Sequence, residues 1–179
     1  MSVAGPKPAA TPTTVPDSPY LLRRAVAADA EAISTLIAPY AAADLMLPRP
    51  IGPLYEAIRD FHVALDPTTS VLVGCAALHV FDGELAEIKS LAVAADHQGR
   101  GLAAELITRC LADARGLGLR RVFALVLRDT LWTRLGFTST DRDSLPQKVW
   151  GECIYCPKFH RCDEVAVSFD LAQDQDQPA

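Results

Sequence analysis

The residues best suited to chemistry sit together: the strand-like run 85–93 carries Glu87 and Lys89, then feeds the turn Gln98-Gly99-Arg100-Gly101-Leu102-Ala103. Glycine at 99 and 101 removes two Cβ atoms, so the backbone can turn sharply and approach a bound group closely. A helix-like run starts at Leu102, so successive N–H groups and the positive end of a helix dipole converge on the turn. That combination is a pyrophosphate cradle, although ordinary strand-to-helix turns use glycine as well. Alternation along a strand puts residues 87, 89, 91 and 93 on one face, which lets Glu87 and Lys89 look into the same cleft. A carboxylate so placed is a candidate general base; the plainer alternative is that it pairs with a nearby cation. The rival phosphate motifs do not fit. No Gly-x-x-x-x-Gly-Lys-Ser/Thr is present, and Gly99-x-Gly101 lacks the third glycine of a dinucleotide-binding turn.

The elements that must hold these residues follow from periodicity and turn chemistry. Residues 20–26 read as a first strand, and Asp29 is placed to open a helix whose apolar positions Ile33, Leu36, Ile37 and Tyr40 keep helical spacing. Pro48 and Pro50 prevent that helix from continuing, and a short helix follows at 53–59. Strands at 61–65 and 71–81 flank the turn Asp66-Pro67-Thr68-Thr69, and Asp82-Gly83 predicts a hairpin into 85–93. A helix over 101–115 ends near Gly116 and Gly118, which suit a C-cap. Strands follow at 121–127 and 163–171. The order βααβββαβαβ predicts an α/β (α+β) fold, a mixed sheet flanked by helices.

At 179 residues, the chain is long enough for one domain with a real core. Half of it is apolar and 22% charged, as in an ordinary soluble globule. A net charge of −5 argues against nucleic acid as a main partner. No apolar run approaches the roughly 20 residues that span a bilayer, so no membrane partner is expected. Residues 1–19, with Pro6, Pro8, Pro12, Pro16 and Pro19, read as a disordered tail, and so do residues 172–179; the domain is expected over 20–171. The N-terminal stretch lacks the apolar centre of a secretion signal. Five cysteines, an odd number, fit a reducing cytoplasm better than disulfides. Cys75 and Cys110 lie in apolar strand and helix contexts and read as small buried side chains. Cys153-x2-Cys156-x3-His160-x-Cys162 contains one pair at zinc-knuckle spacing, but the second pair is too tight, and no metal is expected.

Gln98-x-x-Gly101-x-Ala103 resembles the Gln/Arg-x-x-Gly-x-Gly/Ala pattern of the GNAT superfamily of N-acetyltransferases. Leu131-Trp132-Thr133-Arg134-Leu135-Gly136-Phe137 resembles the aromatic-x-x-x-Gly-Phe ending of the same superfamily, in the right order after a strand, a helix and a strand. Further strings resemble the acetyltransferase unit of the N-acetylglutamate synthases, the first enzymes of arginine biosynthesis: Leu47-Pro48-Arg49, Val73-Gly74-Cys75-Ala76-Ala77-Leu78-His79, Glu87-Ile88-Lys89-Ser90-Leu91, Leu145-Pro146-Gln147-Lys148-Val149-Trp150 and Cys153-Ile154-Tyr155-Cys156-Pro157-Lys158-Phe159. The chain is too short for the kinase domain that accompanies this unit in many synthases, and looks like the short, stand-alone form.

The resemblance implies a GNAT fold with a mixed, mostly antiparallel sheet, acetyl-CoA as the donor, and the small molecule L-glutamate as the acceptor. It places Glu87 as the base that deprotonates the α-amine, and the backbone N–H of Leu91 as donor to the thioester oxygen. The donor would lie along Leu91, Ala92, Val93, Gln98, Gly99, Arg100, Gly101, Leu102 and Ala103. Trp132 stands where the superfamily usually has a tyrosine that protonates the departing thiolate; an indole cannot supply that proton, so Trp132 is expected to pack against the pantetheine arm or the core. Two carboxylates call for cations, with Arg49, Lys89 and Lys148 as the candidates and Arg23, Arg24 and Arg59 in reserve. Dimers are common in the superfamily, though no interface is legible here. Two other functions share the same donor: transfer to another amino acid, amine or protein N-terminus, and a regulatory module that binds acetyl-CoA without turnover.

Overall fold

Pairing on the two sides of one strand organises the molecule. The computed structural model describes residues 18–145, 153–156 and 158–171. Among them run strands β1 (Leu21–Arg24), β2 (Phe61–Leu65), β3 (Leu72–Val80), β4 (Leu85–Val93), β5 (Arg121–Val126), β6 (Thr138–Thr140) and β7 (Val165–Asp170), in the spatial order β1-β2-β3-β4-β5-β7-β6. All neighbours are antiparallel except β4 and β5. This is the mixed, mostly antiparallel sheet expected. Helices α1 (Ala30–Ala42), α2 (Ile51–Glu56), α3 (Leu102–Gly116) and α4 (Thr130–Arg134) complete it. β6 was not expected, since three residues are too few to show an alternation. The short second helix covers 51–56 rather than 53–59, and passes through a 3₁₀ turn at Ile58–Asp60.

Local chemistry explains the joints. Asp29, 8% exposed, accepts the Val26 N–H at 2.8 Å and both Arg23 guanidinium nitrogens at 2.6 and 2.9 Å, which fixes the entry to α1. Those bonds, Arg23's first, hold its carboxyl below the usual range although burial works the other way. At the β3–β4 hairpin the side chain of Asp82 does the work, accepting the Glu84 and Leu85 N–H groups at 2.8 and 2.9 Å. The C-terminus of α3 closes as expected at Gly118, which has φ +75° and donates to Arg115 O.

Each sheet face has its own core. The apolar stripe of α3, including Leu106, Ile107 and Cys110, packs with Ala76, Leu78, Ala86, Ile88 and Val122. On the opposite face Ile33 and Ile37 of α1 and Leu54 of α2 pack with Phe61, Val63, Cys75, Ala77 and Ala92. Each fully buried aliphatic side chain contributes on the order of 1.5–3 kcal/mol. Cys75 and Cys110 are buried, as expected, and burial pushes the Cys75 thiol up to about 12.

β4 departs from a regular strand in two ways. Cys75 faces Ala92 and Ala77 faces Lys89, so Ser90 and Leu91 together oppose Ala76 alone. This is a β-bulge, and Ser90 takes φ +54°, a left-handed conformation that costs a non-glycine residue energy. The bulge reverses the alternation. Glu87 and Lys89 share the α1 face as expected, but Leu91 and Val93 turn to the α3 face and join its core. On the other side, β4 pairs with β5 only over Leu85–Glu87 with Arg121–Phe123. Beyond Glu87 the two strands splay apart.

Candidate active site

Two cavities open where β4 and β5 separate. The first, about 480 Å³, is lined by Tyr40, Leu91 to Val93, His97 to Gly99, Gly101 to Ala104, Leu131 and Arg134. Gly99 and Gly101 have φ +73° and +85°, values that favour glycine, and Gly101 is the N-cap of α3. A Cβ would meet nothing within 4 Å at either position, so conformation rather than crowding requires glycine there. The turn and the start of α3 thus form a backbone-walled anion site. Gln98 plays a structural part: its side-chain amide donates to the Tyr40 hydroxyl at 2.9 Å and to Val93 O at 3.2 Å, while Tyr40 also donates to Val93 O. Tyr40 therefore ties α1 to the cradle. Its place on the apolar stripe of α1 hid that role in the sequence. Arg100 is exposed and outside this lining, whereas Arg134 lies within it.

The second cavity, about 350 Å³, opens on the α1 face. Its walls come mainly from four segments, the loop from Asp44 to Arg49, β4 from Glu87 to Leu91, the end of β5 through Arg128, and C-terminal residues among 153–156 and 158–164, with Ala41, Trp132 and Arg142 beside them. Leu91 lines both cavities. Glu87 reaches only the second, and is 2% exposed. Arg49 is anchored twice, its backbone oxygen accepting from Ser34 Oγ at 3.0 Å and its Nε donating to Ser90 Oγ at 2.7 Å. The guanidinium is thereby fixed over the bulge of β4.

Charges in this cavity nearly balance among the described residues. Arg49, Lys89, Arg128, Arg142 and Lys158 face it together with Asp44, Glu87, Asp163 and Glu164. Lys158 donates to Asp44 O at 2.8 Å and lies 3.7 Å from Asp163, joining the C-terminal segment to the α1–α2 loop across the opening. Arg128, Arg142 and Lys158 were not anticipated; isolated cations in loops carry no spacing signal. Lys148 lies outside the described residues. Arg23 pairs with Asp29 and Arg24 with Asp113, and Arg59 lines neither cavity.

Trp132 is 5% exposed, packs edge-on against Phe137 with centroids 5.0 Å apart, and lines the second cavity rather than the first. Gly136 has φ +90°, and a Cβ there would come within 3.0 Å of the Phe169 ring. The Leu-Gly-Phe ending therefore builds core. Cys153, Cys156 and Cys162 line the second cavity. Among the described residues no three His, Cys, Asp or Glu side chains group as a metal site.

The model of the acetyltransferase (GNAT) family matches residues 32–137. The chain belongs to the GNAT acetyltransferase family. An amino-acid acetyltransferase of Mycobacterium tuberculosis is 36% identical over 133 residues, 74% of this chain and 76% of its own. An uncharacterized N-acetyltransferase of Chlorobaculum tepidum is 35% identical over 153 residues, 86% of this chain and 97% of its own. Among solved structures, a Mycobacterium tuberculosis protein in complex with CoA superposes with TM-score 0.74 at 30% identity, covering 84% of this chain and 99% of that one. N-acetylglutamate synthase from Neisseria gonorrhoeae, complexed with coenzyme A and N-acetyl-glutamate, gives TM-score 0.73 at 25% identity over 87% of this acetyltransferase and 36% of that longer chain. No helix among the described residues is long and apolar enough to cross a membrane.

Proposed function

We propose that this acetyltransferase moves the acetyl group of acetyl-CoA to the α-amine of L-glutamate. The observation that carries the proposal is Leu91, the one residue of the β4 bulge that borders both cavities, with buried Glu87 on the second side alone. The pyrophosphate lies against the N–H groups from Gly99 to Ala103, and the pantetheine arm runs along Leu91 to Val93 toward the gap between β4 and β5. The acceptor enters the other cavity, its carboxylates held by Arg49 and Lys89; Lys148, outside the described residues, stays a candidate on the resemblance alone.

The α-ammonium must lose a proton before it can attack, and Glu87 takes it, directly or through one water. The amine then adds to the thioester carbonyl, and the Leu91 N–H stabilises the oxyanion without reorganising. Collapse of the intermediate expels the thiolate, which takes a second proton from the nitrogen, directly or by way of water. Holding both substrates in adjoining cavities supplies much of the remaining acceleration.

Near-balance of charge in the acceptor cavity favours a second reading, in which the acceptor is an amino acid with one negative charge fewer, such as L-glutamine. The strings that resemble the acetyltransferase unit of the N-acetylglutamate synthases favour glutamate. Following CoA release over a panel of L-glutamate, L-glutamine, L-aspartate and peptide N-termini decides between them. Fastest turnover with glutamate supports the proposal; turnover of peptides alone defeats it, and no turnover beside tight acetyl-CoA binding points to a binding module.

A further inference from the structure

Acetyl transfer to an ammonium releases a proton to solution at every turnover. The acceptor nitrogen starts with three hydrogens and ends as an amide with one; the thiolate takes one, and one must leave the site. Glu87, the proposed base, is 2% exposed and faces the cavity assigned to the acceptor. A carboxylate in that position needs another way to discharge.

The sheet provides one. Glu87 stands directly opposite His79 on β3, and side chains so paired in an antiparallel ladder have Cβ atoms about 4.5–5.5 Å apart on one face. At that spacing one bridging water can connect an imidazole to a carboxyl group. His79 Nδ1 is 3.1 Å from Asp60 Oδ2, in the 3₁₀ turn before β2, and these side chains are 38% and 32% exposed. Asp60 orients the ring by accepting from Nδ1–H, so Nε2 is left as the proton acceptor. Phe81 packs edge-on against the ring with centroids 4.9 Å apart, and stacks on Phe123, the residue facing Glu87 from β5. Neither His79 nor Asp60 borders the acceptor cavity. Among the described residues the ionisable groups around the path are Asp60 from the turn, Glu87 and Lys89 from β4, and, across the cavity, Arg49, Arg128, Arg142 and Lys158 with Asp44, Asp163 and Glu164.

We propose that His79, held by Asp60, carries the released proton from Glu87 to bulk water along the same face of the sheet, outside the rim of the acceptor cavity. Glu87, protonated by the amine, passes its proton to Nε2; the imidazolium returns it to water at the surface, and both groups regain their starting states. His79 touches no reacting atom and works only through Glu87. The proposal rests on acetyl transfer with Glu87 as base.

The test uses the full chain, acetyl-CoA, and whichever amino acid of the panel turns over fastest. His79→Phe and His79→Gln are compared with wild type at low and high buffer concentration; the glutamine variant keeps a donor for Asp60 in case the phenylalanine variant folds poorly. Expected is a roughly tenfold fall in kcat in dilute buffer, with unchanged KM for both substrates and recovery on adding imidazole. A kcat equal to wild type in dilute buffer, or a loss that imidazole does not restore, overturns the relay. Glu87→Gln in the same series separates the two ideas. If it stays active with an unaltered pH profile, the base assignment has failed; if it is disabled while His79→Gln matches wild type, the relay alone has failed.

Discussion

The two cavities that meet at Leu91 are built from different materials. On the donor side the decisive groups are main-chain amides, displayed by Gly99 and Gly101 and by the first turn of α3. On the acceptor side they are side chains gathered from four separate segments. Backbone recognition needs a particular conformation, so it compresses into a short run with glycine at set places. Side-chain recognition needs only convergence in space, which any order of segments can deliver. In the proposed reaction the donor takes the first construction and the acceptor the second.

That contrast can be broken by substitutions confined to one side. The largest effect is expected for Glu87→Gln, which lowers kcat roughly 10²- to 10⁴-fold, the usual range for a lost general base, while leaving acetyl-CoA affinity near wild type by calorimetry. Equal losses in both would mean that the side chain supports the fold rather than the proton transfer. Arg49→Ala should raise KM for the acceptor roughly ten- to hundredfold, the weight of a charge-assisted hydrogen bond, with KM for acetyl-CoA unmoved. Gly101→Ala forces a side chain into left-handed backbone at a cost of about 1–3 kcal/mol, and should act the opposite way, raising KM for acetyl-CoA and sparing the acceptor.

The smallest effect lies away from both cavities. Asp29→Asn should cost about 1 kcal/mol of stability, the upper end for an ion pair at the edge of the fold, with kinetics unchanged. Because Arg23 and the Val26 N–H lower the folded-state pKa of Asp29, its contribution is fully present above the ordinary carboxylate range. It is lost as the pH falls through the lowered folded value. Melting curves of the two proteins should therefore converge toward strongly acidic pH; a gap that persists there would deny the ion pair its part.

The same division explains how far the sequence could be read. Periodicity found β1 to β5, β7, α1 and α3, because each is long enough to show an alternation or a helical stripe; β6, at three residues, is not. The glycine turn was legible, since positions 99 and 101 take positive φ, whereas the Gly-Phe ending was legible only as a family motif and its place in the core at Gly136 and Phe137 was not. The bulge at Ser90 was hidden, since a serine at φ +54° leaves no mark in the sequence, and strict alternation placed Leu91 and Val93 on the wrong face. On the acceptor side Arg49 and Lys89 were found with Glu87, whereas Arg128, Arg142 and Lys158 reach the cavity only through tertiary packing.

The most direct test of the two-cavity account is a crystal structure with coenzyme A and N-acetyl-L-glutamate bound together. The account predicts the pyrophosphate on the N–H groups from Gly99 to Ala103, the sulfur beside Leu91, and the product's carboxylates on Arg49 and Lys89. Product bound away from Glu87, or coenzyme A occupying the cavity of Arg49, would contradict it.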